Sequence, residues 1–193
     1  MTGKAVFLDR DGTVNVDING YITKPDDFEL YPFSSEAVSM LNRNGFLVFI
    51  VTNQSGIARD YYTKEDLESI HEKMITQLAR DHAKIDAVYY SPYHQDGSIK
   101  KYAFAHEDRK PGLGMFEKAK QDHKFDPAHS YMIGDKYTDI QFGKKAGLHT
   151  ILVLTGDGKR EFMENRINWS IKPDYIAPDL LTAVKLLCQL EAL

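Results

Sequence analysis

Asp9 and Asp11 stand two positions apart, just where the short apolar run Ala5-Val6-Phe7-Leu8 stops. In an extended segment, positions i and i+2 point the same way, so both carboxylates can face one site. Gly12 follows and frees the backbone to turn sharply. Such a pair could supply a nucleophile and an acid–base group. Taken alone, the D-x-D-G stretch also fits a solvated turn or a calcium loop.

Three further segments change that balance. Thr52-Asn53-Gln54-Ser55-Gly56 ends a second apolar run and offers a hydroxyl and amides that could donate to a phosphoryl oxygen; by itself it reads as a polar turn. Gly134-Asp135-Lys136, with Asp139 one turn later, ends another run. Acidic residues at two strand ends make an oxygen-ligand site of the kind magnesium prefers. Arg109-Lys110-Pro111 precedes a helical stretch and carries fixed positive charge. Phosphoryl transfer needs a nucleophile, a proton donor, a cation and donors aimed at oxygen, and these four segments hold all of them.

The elements that must position these groups are legible as alternating patterns. Continuous apolar runs at Ala5–Leu8, Phe46–Val51, Ala87–Tyr90, Tyr131–Ile133 and Thr150–Leu154 suit strands buried on both faces of a parallel sheet. Helical patterns lie between them, at Ser35–Arg43, from Thr63 through Leu78, at Gly114–Asp122, Asp139–Ala146 and Leu180–Leu190. Thr63-Lys64-Glu65-Asp66 resembles a capping box, while Asn44-Gly45 and Gly147 supply stops. Strand and helix in alternation predict an α/β fold with right-handed crossovers, in which ligands bind beyond the carboxyl ends of the strands. All four chemical segments fall there.

Composition sets the outer limits. The chain has 193 residues, 42% hydrophobic and 27% charged, which suits one domain with a real core. A net charge of -4 argues against a general nucleic-acid binder, though an anionic ligand can still meet a local positive site. The single cysteine, Cys188, cannot form an internal disulfide and reads as a buried thiol. MTGKAVFLD has no signal-peptide pattern and no run approaches the ~20 apolar residues of a membrane span, which leaves a cytoplasmic location by elimination.

Together the four segments resemble the D-x-D-G-T, T-N, K-P and G-D-x-x-x-D motifs of the haloacid dehalogenase (HAD) superfamily of aspartate-nucleophile phosphatases, across nearly the whole chain. Asp9–Asn15, Thr52–Arg59, Arg109–Pro111 and Ile133–Lys136 resemble, within it, the phosphatases of heptose 1,7-bisphosphate and histidinol phosphate. The resemblance implies a Rossmann-like parallel sheet flanked by helices, one HAD-like domain over residues 1–193 and no large cap domain. It implies that Asp9 attacks phosphorus and that Asp11 protonates the leaving oxygen, then activates water. Magnesium would sit on the Asp9 carboxylate, the Asp11 backbone carbonyl and Asp135. Thr52 and Asn53 would hold the phosphoryl group, and Lys110 would balance its charge. Arg109 and Arg59 would reach the rest of the substrate, with Lys136 in the same substrate-binding set. Asp139 would support Lys110 or the metal's waters.

One departure stands out. These relatives usually carry a zinc loop, C-x-H and then C-x-C, where this chain reads Ser91-Pro92-Tyr93 and His106-Glu107-Asp108. Only His94, His106 and Asp108 remain as candidate ligands, so zinc is not expected. Packing among Tyr89, Tyr90, Tyr93, Tyr102 and Phe104 is expected to take its place. Trp169 and the remaining tyrosines read as packing, His71, His82 and His123 as solvated, and Gly156-Asp157-Gly158-Lys159-Arg160 as a turn without Walker spacing. The leading expectation is a monomeric magnesium-dependent phosphatase of a small phosphorylated metabolite, a sugar bisphosphate first and histidinol phosphate second. It has no nucleic-acid or membrane partner; polynucleotide 3′-phosphate removal is a distant third. A phosphotransferase or a non-catalytic phosphate binder on the same fold remain the alternatives.

Overall fold

Each apolar run becomes a parallel strand because its side chains have a hydrophobic layer to enter on both faces. The computed structural model describes residues 3–17 and 20–191. In chain order the strands are β1 (Lys4–Leu8), β2 (Phe46–Asn53), β3 (Ala87–Ser91), β4 (Tyr131–Gly134), β5 (His149–Val153) and β6 (Tyr175–Ala177). The helices are α1 (Ser34–Arg43), α2 (Lys64–Arg80), α3 (Gly114–Asp122), α4 (Tyr137–Lys145), the single turn α5 (Gly158–Arg160) and α6 (Leu180–Leu190). β6 is the strand the sequence pattern missed. It has three residues, and only Ala177 is buried, so it lacks a continuous apolar run.

The sheet order is β3-β2-β1-β4-β5-β6, with every pair parallel. The chain moves outward from β1 to β3 and then restarts at β4 on the other side of β1. The topological switch point therefore lies between β1 and β4, where such sheets open a crevice at the carboxyl ends of the strands. Alternation within β1 builds two cores. Val6 and Leu8 join Ile50, Ile133, Leu41, Ile70 and Leu187 under α1, α2 and α6. Ala5 and Phe7 face Phe49, Met132, Met115 and Phe142 under α3 and α4. The Phe7 ring meets four others, Phe49 at 5.2 Å, Phe125 at 5.5 Å, Phe116 at 5.8 Å and Phe142 at 6.3 Å.

Local signals in the sequence act as read. Thr63 Oγ1 accepts from Asp66 N at 3.1 Å while Thr63 N donates to Asp66 Oδ2 at 2.8 Å, closing the capping box that starts α2. Gly147 ends α4 with φ +73°. No inserted domain stands between β1 and α1; among the described residues that link holds one 3-10 turn, Pro25–Asp27. No described helix is long and apolar enough to cross a membrane.

Two of the three histidines read as solvated are not. His71 is buried on the α2 face that also carries Leu67, Ile70, Met74 and Leu78. Burial, reinforced by the nearby Arg10 charge, pushes its imidazole down to about 3. His123 is half-buried, its ring 4.8 Å from that of Phe49.

Candidate active site

Asp9 is the first residue beyond β1, and its backbone N–H donates to Ile133 O of β4 at 3.0 Å, so the ladder fixes it at the switch point. Gly12, with φ +82°, lets the following turn fold back over Asp135. A Cβ at Gly12 would lie 2.3 Å from Asp135 Oδ2, and one at Gly156 would lie 2.6 Å from Gly12 Cα. The aspartate turn, the end of β4 and the loop after β5 thus meet at a spacing only glycine allows. A cavity of about 40 Å³ opens there, lined by Asp9, Asp11, Thr52, Asn53, Lys110, Lys136, Thr138 and Asp139.

Lys110 organises the charge. Its Nζ lies 2.9 Å from Asp9 Oδ1 and 2.6 Å from Asp139 Oδ1, and donates to Val51 O at 2.8 Å. One backbone acceptor and two carboxylates thus surround the ammonium. Burial alone would lower the lysine, but Asp139 and Asp9 outweigh it and raise it. Asp139 also caps α4, accepting from Lys136 N at 2.9 Å. It supports Lys110, as the sequence suggests.

Asp9, Asp135 and Asp139 each offer a carboxylate oxygen within 4.8 Å of the others. Asp135 Oδ2 accepts from Asp157 N at 2.8 Å, while its Oδ1 is buried and meets no donor among the described residues. Burial, with Asp9 and Asp139 adding to it against Lys136, pushes the Asp135 carboxyl well above its ordinary range. Burial also raises Asp139, against the pull of Lys110. Crowded, dehydrated carboxylates with an orphaned oxygen fit a hard divalent cation, which would offset their repulsion.

Asp11 is held differently. Arg10, fully buried, donates to Asp11 Oδ1 from Nε at 3.1 Å and from Nη2 at 2.9 Å. Asn15 Nδ2 donates to the same oxygen at 3.1 Å, and Gln54 Nε2 to Oδ2 at 2.8 Å. Tyr62 holds Gln54 in turn, donating to Oε1 at 2.5 Å. Burial would raise Asp11, yet Arg10, Asn15 and Gln54 together set it below the ordinary carboxylate range. The sequence reading passed over Arg10, Asn15, Gln54 and Tyr62. Arg10 stood as a spacer between two aspartates, although alternation alone would have turned it inward.

The structure refines two other expectations. Thr52 Oγ1 accepts from Gln54 Nε2 at 2.7 Å, so its own proton is free to donate. The Asn53 side chain clamps Lys110 instead, accepting from Lys110 N at 2.9 Å and donating to Lys110 O at 3.1 Å. Lys136 borders the cavity, 3.7 Å from both Asp17 and Asp157. The segment 156–160 starts as the turn the sequence suggests and passes into α5, and it borders the site: Thr155 Oγ1 donates to Gly12 O at 2.6 Å, and the Asp157 N–H reaches Asp135.

Arg59 and Arg109 do not line that cavity. Arg59 Nη2 is 3.4 Å from both ring nitrogens of His94, and Arg109 Nη1 donates to Tyr93 O at 3.3 Å. Burial and the neighbouring Arg59 hold Arg109 below its ordinary range, so these two cations are close enough to repel. In the loop of residues 92–108, Asp108 pairs with Lys118 at 2.6 Å and its backbone N–H donates to His106 Nδ1 at 3.0 Å. Tyr93 stacks on His106 at 3.9 Å and meets Phe104 at 5.0 Å and Tyr102 at 5.8 Å. Tyr89 is no part of that packing; its hydroxyl donates to Asp122 at 3.0 Å.

Comparison with known proteins agrees with this geometry. Residues 108–183 match the HAD-hydrolase-like family model. The chain is 41% identical over 192 residues, 97% of each chain, to the D-glycero-D-manno-heptose-1,7-bisphosphate 7-phosphatase of Thermosynechococcus vestitus. It is 40% identical over 182 residues, 94% of each, to the D-glycero-beta-D-manno-heptose-1,7-bisphosphate 7-phosphatase of Escherichia coli O6:H1 strain CFT073. The crystal structure of a D,D-heptose 1,7-bisphosphate phosphatase from B. bronchiseptica, complexed with magnesium and phosphate, is similar with a TM-score of 0.83 and 31% identity, covering 96% of this chain and 98% of that one.

Proposed function

This chain belongs to the HAD-like family of heptose-bisphosphate phosphatases, and from that premise we propose that it removes the 7-phosphate of D-glycero-D-manno-heptose 1,7-bisphosphate. The observation that carries the chemistry is the buried charge cluster. Asp9 Oδ1 is fixed 2.9 Å from Lys110, and a carboxylate oxygen of Asp9 lies within 4.8 Å of Asp135 and Asp139 oxygens. Such a carboxylate is positioned, dehydrated and ready to act as a nucleophile.

In the first step an Asp9 oxygen bonds to phosphorus as the P–O bond to the sugar breaks, and Asp11 passes its proton to the departing oxygen. In the second, Asp11 takes a proton from water, whose oxygen attacks the phosphoaspartate, releasing phosphate and restoring Asp9. The donors around Asp11 favour its carboxylate, the form the second step uses, so serving as the acid of the first step requires it to take up a proton against them. The free hydroxyl proton of Thr52 is available to the phosphoryl group, and Lys110 offsets its charge. A magnesium ion held by Asp9, Asp135 and the Asp11 carbonyl would draw negative charge from the phosphoryl oxygens. Arg59 and Arg109, held outside the cavity lining by His94 and Tyr93 O, are assigned in this reading to the second phosphate.

The test is a comparison of substrates in magnesium buffer, with the released phosphate assigned by ³¹P NMR. Loss of the 7-phosphate, with kcat/KM about tenfold or more above that for a substrate lacking the distal phosphate, is expected from two charge-assisted contacts. Equal turnover of histidinol phosphate, or release of the 1-phosphate, would refute the substrate. Absence of turnover on every phosphomonoester, p-nitrophenyl phosphate included, would refute the chemistry.

A further inference from the structure

We propose that the groove between the 162–172 segment and β6 is a second binding site, one that takes a small amphipathic anion: an aromatic or aliphatic body bearing one acidic group. The groove belongs to none of the catalytic segments. After α5 the chain winds through a π turn, Glu161–Asn165, and a 3-10 turn, Arg166–Asn168, before reaching β6 at the edge of the sheet. Phe162, Ile167, Trp169 and Ile176 wall a cavity of about 650 Å³ there. Small-molecule sites typically span roughly 300–1,000 Å³ and combine apolar walls with a few convergent polar groups.

The walls are apolar where a soluble surface would be polar. Ile167 is 86% exposed, and Ile176 on the strand is 41% exposed. Apolar side chains gathered in one concavity, rather than scattered, mark a surface that binds something. The charged groups lining it are Arg166 and Lys172, with no carboxylate among the described lining residues. The Arg166 guanidinium lies 4.4 Å from the centroid of Phe162, so one cation is laid along the aromatic wall. The Trp169 indole stacks on Tyr137 at 5.2 Å and 4°, which fixes the aromatic wall. Two cations beside apolar and aromatic walls call for an anion attached to an apolar body.

The same charges argue against a second copy as the occupant. A two-fold contact through this face would set Arg166 and Lys172 against their own counterparts, and like charges brought together are repelled.

Trp169 is the only tryptophan in the chain, so its emission reports this wall alone. The probe is 1-anilinonaphthalene-8-sulfonate, titrated into full-length protein with magnesium and saturating inorganic phosphate to occupy the catalytic pocket. One saturable site is expected, with energy transfer from Trp169. N-phenyl-1-naphthylamine, the same body without the sulfonate, should bind about tenfold more weakly or worse. Lys172→Glu and Arg166→Glu, both at exposed positions, should each weaken the sulfonate by about tenfold or more, while turnover of p-nitrophenyl phosphate stays as in the parent and shows the variants folded. Non-saturable binding, equal affinity for the neutral dye, or indifference to charge reversal would overturn the site. So would a concentration-dependent dimer in sedimentation that Ile167→Glu dissolves.

Discussion

Arg109 and Lys110 are neighbours in the chain, yet they serve two regions built by opposite means. Lys110 is buried, its ammonium donating to Val51 O and forming ion pairs with the carboxylates of Asp9 and Asp139. Arg109 leans on the loop of residues 92–108, where stacked and tilted rings around Tyr93 do the holding and Phe104 is 44% exposed. Ion pairs removed from water bind tightly only in one geometry, and removal of one partner strands the other. Ring contacts contribute about a tenth to a half as much each and tolerate exchange. The pocket is therefore rigid in chemistry, while the loop beside it is open to replacement. That loop holds the ring contacts of Tyr93 with Tyr102, Phe104 and His106.

If the comparison holds, damage to the pocket should be severe and damage to the loop mild. The largest loss should follow Asp9→Asn, which removes the attacking oxygen's charge; kcat for p-nitrophenyl phosphate is expected to fall by about 10⁴-fold or more. Lys110→Met comes next. It leaves Asp9 and Asp139 as unpaired buried charges, a cost of about 3–5 kcal/mol in stability, and lowers kcat by about 10²–10³-fold. Thermal melts and steady-state rates on the same preparation would read both. A Lys110→Met protein that melts like the parent would show that the cluster is not held as described.

A third break concerns pH without metal. The folded Asp135 carboxyl titrates well above the ordinary 3.8, so the native state binds the extra proton. Stability of the metal-free protein must then fall as pH rises from about 4 toward that raised value. Asp11, shifted the other way, acts only below the ordinary range. In EDTA the melting temperature should decline over the upper window, and added magnesium should restore it most at the alkaline end. Asp135→Asn should flatten the slope and stabilise the metal-free protein by on the order of 1 kcal/mol, about 2–4 °C for a chain of this size. Magnesium should no longer raise its melting point. A melting curve of the parent that is indifferent to pH and magnesium would break the reading of the carboxylate cluster.

The same contrast explains what could be read before the fold was known. Asp9 and Asp135 were legible because each ends a continuous apolar run, and a parallel sheet brings such ends together. β6 was not, since three residues with one buried give no pattern to find. His71 carried a usable signal that was passed over: it lies four residues after Leu67 and three before Met74, on the apolar stripe of α2. Gln54 acts on Asp11 from a segment 43 positions away, which no spacing rule reports, whereas Arg10 donates to its immediate neighbour Asp11. Thr155 and Asp157 reach the site only because β5 sits beside β4, an order the sequence did not fix.

The smallest predicted effect is the sharpest test of the comparison. Tyr93→Leu removes the ring that stacks on His106 at 3.9 Å and touches Tyr102 and Phe104, while keeping an apolar side chain of similar bulk. Each ring contact is worth about 0.5–1.5 kcal/mol beyond area, so the loss should be on the order of 1–2 kcal/mol, or about 2–8 °C. The backbone carbonyl of Tyr93 accepts from Arg109, so a loosened loop should also loosen that guanidinium. For a bisphosphate substrate KM should rise about threefold to tenfold with kcat nearly kept, because the interaction is shared by ground and transition states. For p-nitrophenyl phosphate, which has no second phosphate, both constants should stay near the parent values. A fall in kcat on both substrates would mean that the loop and the pocket are one mechanical unit, joined through Arg109–Lys110, and that the division between them is wrong.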